Sequence, residues 1–279
     1  MRSLSVEIIE DAVRKMVMDA NYNAPEDVKR AFDIALEKEE SEVAKKIFLE
    51  FKENHKLASE EKLGICQDTG LAVIFLFLGQ DVHLVDGDIY EAVNRGVEKG
   101  YTEGYLRKST CDPFTRKNLG TNTPAIVHIK FIPGDKVKIV VMPKGGGAEN
   151  MSALRMFAPS AGLEGAMDFV VETVRKAGPN PCPPTIIGVG IGGNFERVAF
   201  LAKRALLRPI GSKNPDERLG SIEGELFERI NKLGIGAMGL GGRVTSLAVH
   251  VELEPCHIAS FPVAVNIECN AHRHKSVEL

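Results

Sequence analysis

Three cysteines stand far apart in this chain, each in a short polar or proline-bounded stretch that reads as loop. They are Cys66 in Gly-Ile-Cys-Gln-Asp-Thr-Gly, Cys182 in Asn-Pro-Cys-Pro-Pro, and Cys269 in Glu-Cys-Asn-Ala-His-Arg-His-Lys. Three thiolates brought together by a fold can hold a metal ion or cluster and leave one coordination position open, which is what a Lewis-acid site needs. Cys66 is followed at once by Gln67 and Asp68, so a soft ligand, an amide and a carboxylate fall within three residues. Cys182 lies between Pro181 and Pro183-Pro184, which stiffen the loop that presents it. Cys269 precedes His272-Arg273-His274-Lys275, a cationic group suited to stand beside an anionic cluster. No Cys-x-x-Cys pair occurs, which excludes a zinc knuckle and a ferredoxin-type run. A plainer account competes: free cysteine is among the most buried residue types, and five inert core thiols would need no metal.

The chain has 279 residues, 44% of them hydrophobic, enough for a full core. Its net charge of -3 and the lack of a basic stripe give a nucleic-acid partner no electrostatic support. The amphipathic, charged N-terminal stretch lacks the apolar centre of a signal peptide, and no apolar run approaches the roughly 20 residues of a membrane helix. The expectation is a soluble cytoplasmic chain with no membrane partner. An odd cysteine count without an export signal argues for reduced thiols.

The elements that must position these loops form a mixed α/β (α+β) pattern: a helical N-terminal layer over about residues 1–60, then a mixed sheet with packed helices. Val6, Ile9, Val13, Met16 and Val17 recur at helical spacing, a second helix starts at Ala24-Pro25-Glu26-Asp27, and Ala44, Ile47, Phe48 and Phe51 stripe a third. The apolar run 71–78 reads as a buried strand and 88–103 as a helix. Runs 125–132 and 136–143 flank Pro133-Gly134-Asp135, which predicts a hairpin. Helix follows at 162–177, strand at 185–190, helices at 194–207 and 216–233, and strands near 243–252 and 260–267. No linker or low-complexity stretch divides the chain, so a single domain over 1–279 is expected.

Gly188-Val-Gly190-Ile-Gly192-Gly193 and Gly234-Ile-Gly236-Ala-Met-Gly239 both fit a dinucleotide-binding glycine pattern. The first runs into the loop Arg208-Pro209-Ile-Gly-Ser instead of a second strand ending in an acidic residue, and the second leads into a strand. A nucleotide-binding enzyme is therefore an outsider. Gly145–Gly147, followed by Glu149 and Asn150, reads better as backbone able to approach an anion than as a plain turn.

The segments Ile-Cys-Gln-Asp-Thr-Gly, Asn-Thr-Pro-Ala-Ile-Val-His, Pro-Lys-Gly-Gly-Gly-Ala-Glu-Asn and His257-Ile-Ala-Ser-Phe-Pro-Val-Ala-Val-Asn together resemble the class I, iron–sulfur fumarate hydratases, in particular their alpha subunit or N-terminal domain. L-tartrate dehydratase alpha subunits share the pattern. The resemblance implies that Cys66, Cys182 and Cys269 hold a [4Fe-4S] cluster whose fourth iron lacks a protein ligand, and that Cys111 and Cys256 are structural thiols. It implies dicarboxylate contacts from Gln67, Asp68, Arg107, Gly146, Gly147, Glu149, Asn150 and His257, with Asp68 and His257 catalytic. Single-chain members carry a further C-terminal domain, so a separate beta subunit is the expected partner, in an alpha2-beta2 assembly. The reaction implied is reversible hydration of fumarate to L-malate, with L-tartrate dehydration as the nearest alternative and a non-catalytic iron–sulfur sensor as a distant one. Plainer roles stand beside these: Asp68 as a turn-capping carboxylate, Arg107 as a surface arginine, and His257 as a satisfied core histidine.

Overall fold

The computed structural model describes residues 2–279. Strand β1 (Arg2–Ser5) leads into helices α1 (Val6–Tyr22), α2 (Glu26–Lys38) and α3 (Glu42–Glu61). Strands β2 (Leu71–Gly79) and β3 (Val82–Val85), helix α4 (Ile89–Glu103) and strands β4 (Ile126–Ile132) and β5 (Val137–Lys144) follow. After the single turn α5 (Gly146–Glu149) come β6 (Ala153–Phe157), α6 (Gly162–Ala177), β7 (Thr185–Gly193), α7 (Phe195–Ala205) and α8 (Glu217–Asn231). Last are β8 (Ser246–Cys256), β9 (Phe261–Glu268) and β10 (Lys275–Glu278). Helices and mixed sheets give the expected α+β class. Among the described residues no helix is long and apolar enough to cross a membrane.

The chain forms two compact units. The first holds the segment to Pro25, Glu53–Gly146 and Arg273–Leu279; the second holds Glu26–Lys52 and Gly147–His272. In the first, Ser5 caps α1 by accepting from the Glu7 N–H at 3.3 Å. The predicted stripe of α1 (Ile9, Val13, Met16, Val17) is buried against Ile74 and Leu76 of β2, Ile139 and Val141 of β5, and Val93, Val97 and Tyr101 of α4. Each such side chain contributes on the order of 1.5–3 kcal/mol of apolar burial.

The sheet of this unit runs β10-β5-β2-β4, which corrects the expected hairpin: β4 and β5 are not neighbours. Strand β2 lies between them, parallel to β4 and antiparallel to β5. Residues 72–76 of β2 are all buried, so this strand needs cover on both faces and a partner on both edges. The Pro133-Gly134-Asp135 turn is present, but carbonyls in it and just before it serve the segment after β2: Gln80 N–H donates to Ile132 O at 2.9 Å and Asp81 N–H to Gly134 O at 3.0 Å. Turn residues thus locate a reversal without naming the pairing. The short strands β1, β3, β6 and β10 have too few residues to show a period and were not expected.

The sheet of the second unit runs β6-β9-β7-β8. Strand β7 alternates between two kinds of face. Ile187, Val189 and Ile191 enter a core with α6 and α8, while Gly188 and Gly190 lie under α7. A Cβ on Gly188 would sit 2.1 Å from the Ala202 carbonyl oxygen, and one on Gly190 2.3 Å from that of Val198. The glycines let helix backbone rest on strand backbone, with Ala264 paired beside Gly190 continuing the small floor. Their role is packing, which accounts for the glycine pattern without a nucleotide.

Glu39, buried at the end of α2, accepts from the N–H groups of Glu40 (2.9 Å), Ser41 (3.0 Å), Arg243 (2.9 Å) and Val244 (3.2 Å). Burial alone would raise its pKa, but these N–H donors outweigh it and hold the carboxyl below the ordinary 4.5.

Two stability tests follow from these contacts. Gly190→Ala should destabilise the chain by about 2 kcal/mol or more, because α7 must lift from the sheet; a melting temperature equal to wild type would contradict the packing role. Glu39→Gln should cost about 2–3 kcal/mol near neutral pH in urea unfolding. Because the folded pKa is depressed, the wild-type advantage is complete above pH 4.5 and is lost as pH falls through the lower folded value. A gap between wild type and variant that does not shrink on acidification would rule out the carboxylate as its source.

Candidate active site

In the first unit the site residues cluster on the segment following α3. The Cys66 thiol is half-buried and receives the Asp68 N–H at 3.4 Å, while its own S–H faces Gln67 Oε1 at 3.3 Å. Asp68 carries the densest set of bonds. Its Oδ1 accepts from Gly70 N–H at 3.1 Å, its Oδ2 from Gly146 N–H at 2.7 Å, and its backbone carbonyl from the Arg273 guanidinium. The glycine run therefore does present an N–H to an anion, and the anion is Asp68 itself, in the turn-capping role.

Five further hydrogen bonds fix the same stretch. Buried Tyr101 shares its hydroxyl proton between Thr69 O (2.6 Å) and Gly70 O (2.9 Å). Burial pushes that hydroxyl's pKa up, so it stays protonated and donates. Asn122, fully buried, donates to Gly70 O at 3.0 Å and accepts from Ser109 N–H at 2.6 Å. Thr69 Oγ1 donates to Arg107 O at 2.7 Å, which anchors the Arg107 backbone and leaves its side chain exposed. Gln67 is exposed as well.

In the second unit, strand register brings two cysteines together. β7 and β9 are antiparallel with Ile186 opposite Glu268, so the loop before β7 and the loop after β9 emerge at the same end of the sheet. The first carries Cys182 and the second Cys269. Asn270 joins them: its backbone N–H and its Nδ2 both donate to Cys182 O, at 3.2 and 2.7 Å. Cys182 is exposed and adopts a φ of 52°, the left-handed region that a β-carbon disfavours. Cys269 is half-buried, with its Sγ 3.8 Å from Glu268 Oε1.

The remaining candidates stand apart from this pair or serve structure. Glu149 is held by the Lys203 ammonium and by Asn266 Nδ2 at 2.9 Å, and Asn266 also reaches Ser152 Oγ at 3.0 Å. Gly147 and Asn150 are exposed. His257 is exposed in the β8–β9 turn, where its Nδ1 accepts from Ala259 N–H at 3.1 Å. It is thus not a core histidine, and the eight residues of β9, about 26 Å at 3.3 Å per residue, separate it from Cys269. Cys111 is half-buried and Cys256 exposed, so neither is a core thiol, and none of the five cysteines forms a disulfide. Among the described residues no three His, Cys, Asp or Glu side chains are grouped to hold a metal ion.

Sequence reasoning missed the supporting residues Tyr101, Asn122, Asn270 and the Lys203–Asn266 pair. Asn122 and Asn270 did carry a signal, standing inside the Asn-Thr-Pro segment and directly after Cys269.

The sequence model of the family described as fumarate hydratase (Fumerase) matches residues 10–278. The putative L(+)-tartrate dehydratase subunit alpha of Methanocaldococcus jannaschii is 43% identical over 272 residues, covering 95% of this chain and 95% of that protein. The L(+)-tartrate dehydratase subunit alpha of Escherichia coli K12 is 32% identical over 275 residues, covering 95% and 90% respectively.

The left-handed backbone at Cys182 gives a direct test on the metal-free chain. Cys182→Gly should be more stable than Cys182→Ala by about 1 kcal/mol, because glycine alone adopts this φ without cost. Equal unfolding midpoints for the two variants would mean that the conformation carries no strain.

Proposed function

This chain belongs to the fumarate hydratase (Fumerase) family, and from that premise we propose that it is the cluster-bearing alpha subunit of a [4Fe-4S] hydro-lyase that interconverts fumarate and L-malate. The observation that carries the proposal is the β7–β9 register, which sets the Cys182 and Cys269 loops side by side. The donor chemistry fits. Cys66, Cys182 and Cys269 are thiols outside the core, and Cys66 Sγ already receives an amide N–H, a bond that suits a ligating thiolate. These three cysteines would hold the cluster. When bound, it would supply Lewis-acid coordination to a substrate oxygen, through an iron without a protein ligand.

The chain's own groups take the other roles. Hydration forms a C–O bond at one alkene carbon and a C–H bond at the other. Asp68, its carboxylate fixed by the Gly70 and Gly146 N–H groups, is assigned the proton exchanged at carbon. The exposed guanidinium of Arg107 can grip a carboxylate with two parallel hydrogen bonds. Gln67 and the Gly146–Asn150 stretch offer amide and backbone donors to the dicarboxylate, whereas the length of β9 between His257 and Cys269 leaves His257 without a contact to a substrate held beside Cys269 of the same chain. A separate beta subunit would supply further basic and hydroxyl groups, in an alpha2-beta2 assembly; the word "alpha" in the relatives' names supports that partner. The same names favour a second reading, L(+)-tartrate as substrate. Rates measured side by side with fumarate, L-malate and L(+)-tartrate separate the two.

Anaerobic reconstitution with iron and sulfide tests the ligand set. Absorption and EPR signals of a [4Fe-4S] cluster should vanish in Cys66→Ser, Cys182→Ser and Cys269→Ser and persist in Cys111→Ser and Cys256→Ser. A cluster that survives any of the first three removes the proposal's chemical basis. The reconstituted chain alone should show little or no hydratase turnover; full activity without a second subunit would overturn the two-subunit assignment.

A further inference from the structure

Residues 104–125 of the first unit form a long excursion between α4 and β4 without regular secondary structure. Loops of this length inside a compact unit are uncommon and are usually either functional or disordered. This one is tightly self-bonded. Leu119 N–H donates to Thr110 O at 3.0 Å, Asp112 N–H to Lys117 O at 2.9 Å, and Asn118 Nδ2 to Lys108 O at 2.8 Å. At the tip, Asp112 Oδ1 accepts from Phe114 N–H (3.0 Å), Thr115 N–H (2.6 Å) and Thr115 Oγ1 (2.9 Å). Buried Asn122 holds the base.

This rigid support presents apolar surface to solvent. Phe114 is 93% exposed and Tyr105 96% exposed. Around them stand Arg107, Lys108, Arg116 and Lys117, against the single carboxylate of Asp112. The chain as a whole is acidic, so the loop is a local cationic patch with an aromatic at its tip. A preordered aromatic flanked by cations is the make-up of a binding anchor: it loses little entropy on docking and buries a large apolar area.

We infer that the Tyr105–Gly120 loop is the element by which this chain docks onto its beta subunit, with Phe114 entering an apolar pocket and Lys108, Arg116 and Lys117 facing an acidic rim. The inference rests on the two-subunit reading above. Charge argues against a second copy of this chain as the receptor. The apolar groove beside α2 and α8, about 490 Å³ and floored by Ala31, Ile34, Phe227 and Leu247, carries Arg30, Lys38 and Arg243 against the single carboxylate of Asp27, so its net positive rim would repel the loop. Arg107 lies at the base of the loop, so docking there would bring the partner's groups near a residue assigned to the substrate.

The test co-expresses the full chain with the beta-type polypeptide from the same genome and measures their affinity. Failure of the wild-type pair to associate overturns both the two-subunit reading and this inference. Given a wild-type complex, Phe114→Ser should weaken it at least 30-fold, and Arg116→Glu with Lys117→Glu should slow association and flatten its salt dependence. Melting temperatures of the free variants should match wild type, since these side chains are exposed. Affinities within threefold of wild type in both variants would overturn the inference. So would variants that bind the beta subunit normally but lose self-association, or lose binding to a single-stranded oligonucleotide.

Discussion

Three residues, Asp68, Thr69 and Gly70, gather hydrogen bonds from widely separated parts of the sequence, and the placement of the first unit's candidate residues hangs on them. Asp68 ties its own segment to Gly70 and Gly146, Arg273 holds its carbonyl, Tyr101 and Asn122 grip the next two carbonyls, and Thr69 anchors Arg107. The donors come from α4, from the loop before β4 and from the segment before β10, so distant parts of the sequence converge on one short stretch. Cys66 lies two residues before Asp68 and is tied to it through the Asp68 N–H. A carboxylate fixed in this way is aimed.

The second unit rests on a different device. Here the cysteine loops are placed by a sheet whose register is set by alternating faces: Ile187, Val189 and Ile191 need the α6–α8 core, and Gly188 and Gly190 need α7. A one-residue slip would put isoleucine under α7 and glycine in the core, so register is strongly specified. That specification fixes Ile186 opposite Glu268 and with it the neighbourhood of Cys182 and Cys269. Cys182 itself sits in the left-handed region, a local backbone cost.

Legibility in the sequence followed the length of the signal. Helices α1, α2, α6 and α8 span three turns or more, so their apolar stripes repeat and were readable to within a few residues. The cysteine loops were readable because proline, asparagine and glycine punctuate them. Pairing was not: the residues of β4 and β5 say that each is a strand, but only the buried character of β2 says that it comes between them. The glycines of β7 were ambiguous because a phosphate and a helix backbone both ask for a missing side chain. The exposure of His257 and its separation from Cys269 follow from the direction of β9, which composition does not report.

The placement of β10 has a consequence for how this protein is made. Strand β10 completes the first unit's sheet by pairing with β5, yet residues 147–272 of the other unit are translated between those two strands. On the ribosome, the second unit's sheet can assemble as soon as β9 emerges, while the first unit waits with the β5 edge open until residues 275–278 appear. An open strand edge is a template for pairing with other chains. The interval between the synthesis of β5 and of β10 is therefore when a nascent chain is most exposed to mispairing, and when a chaperone or an early-arriving partner would do the most good.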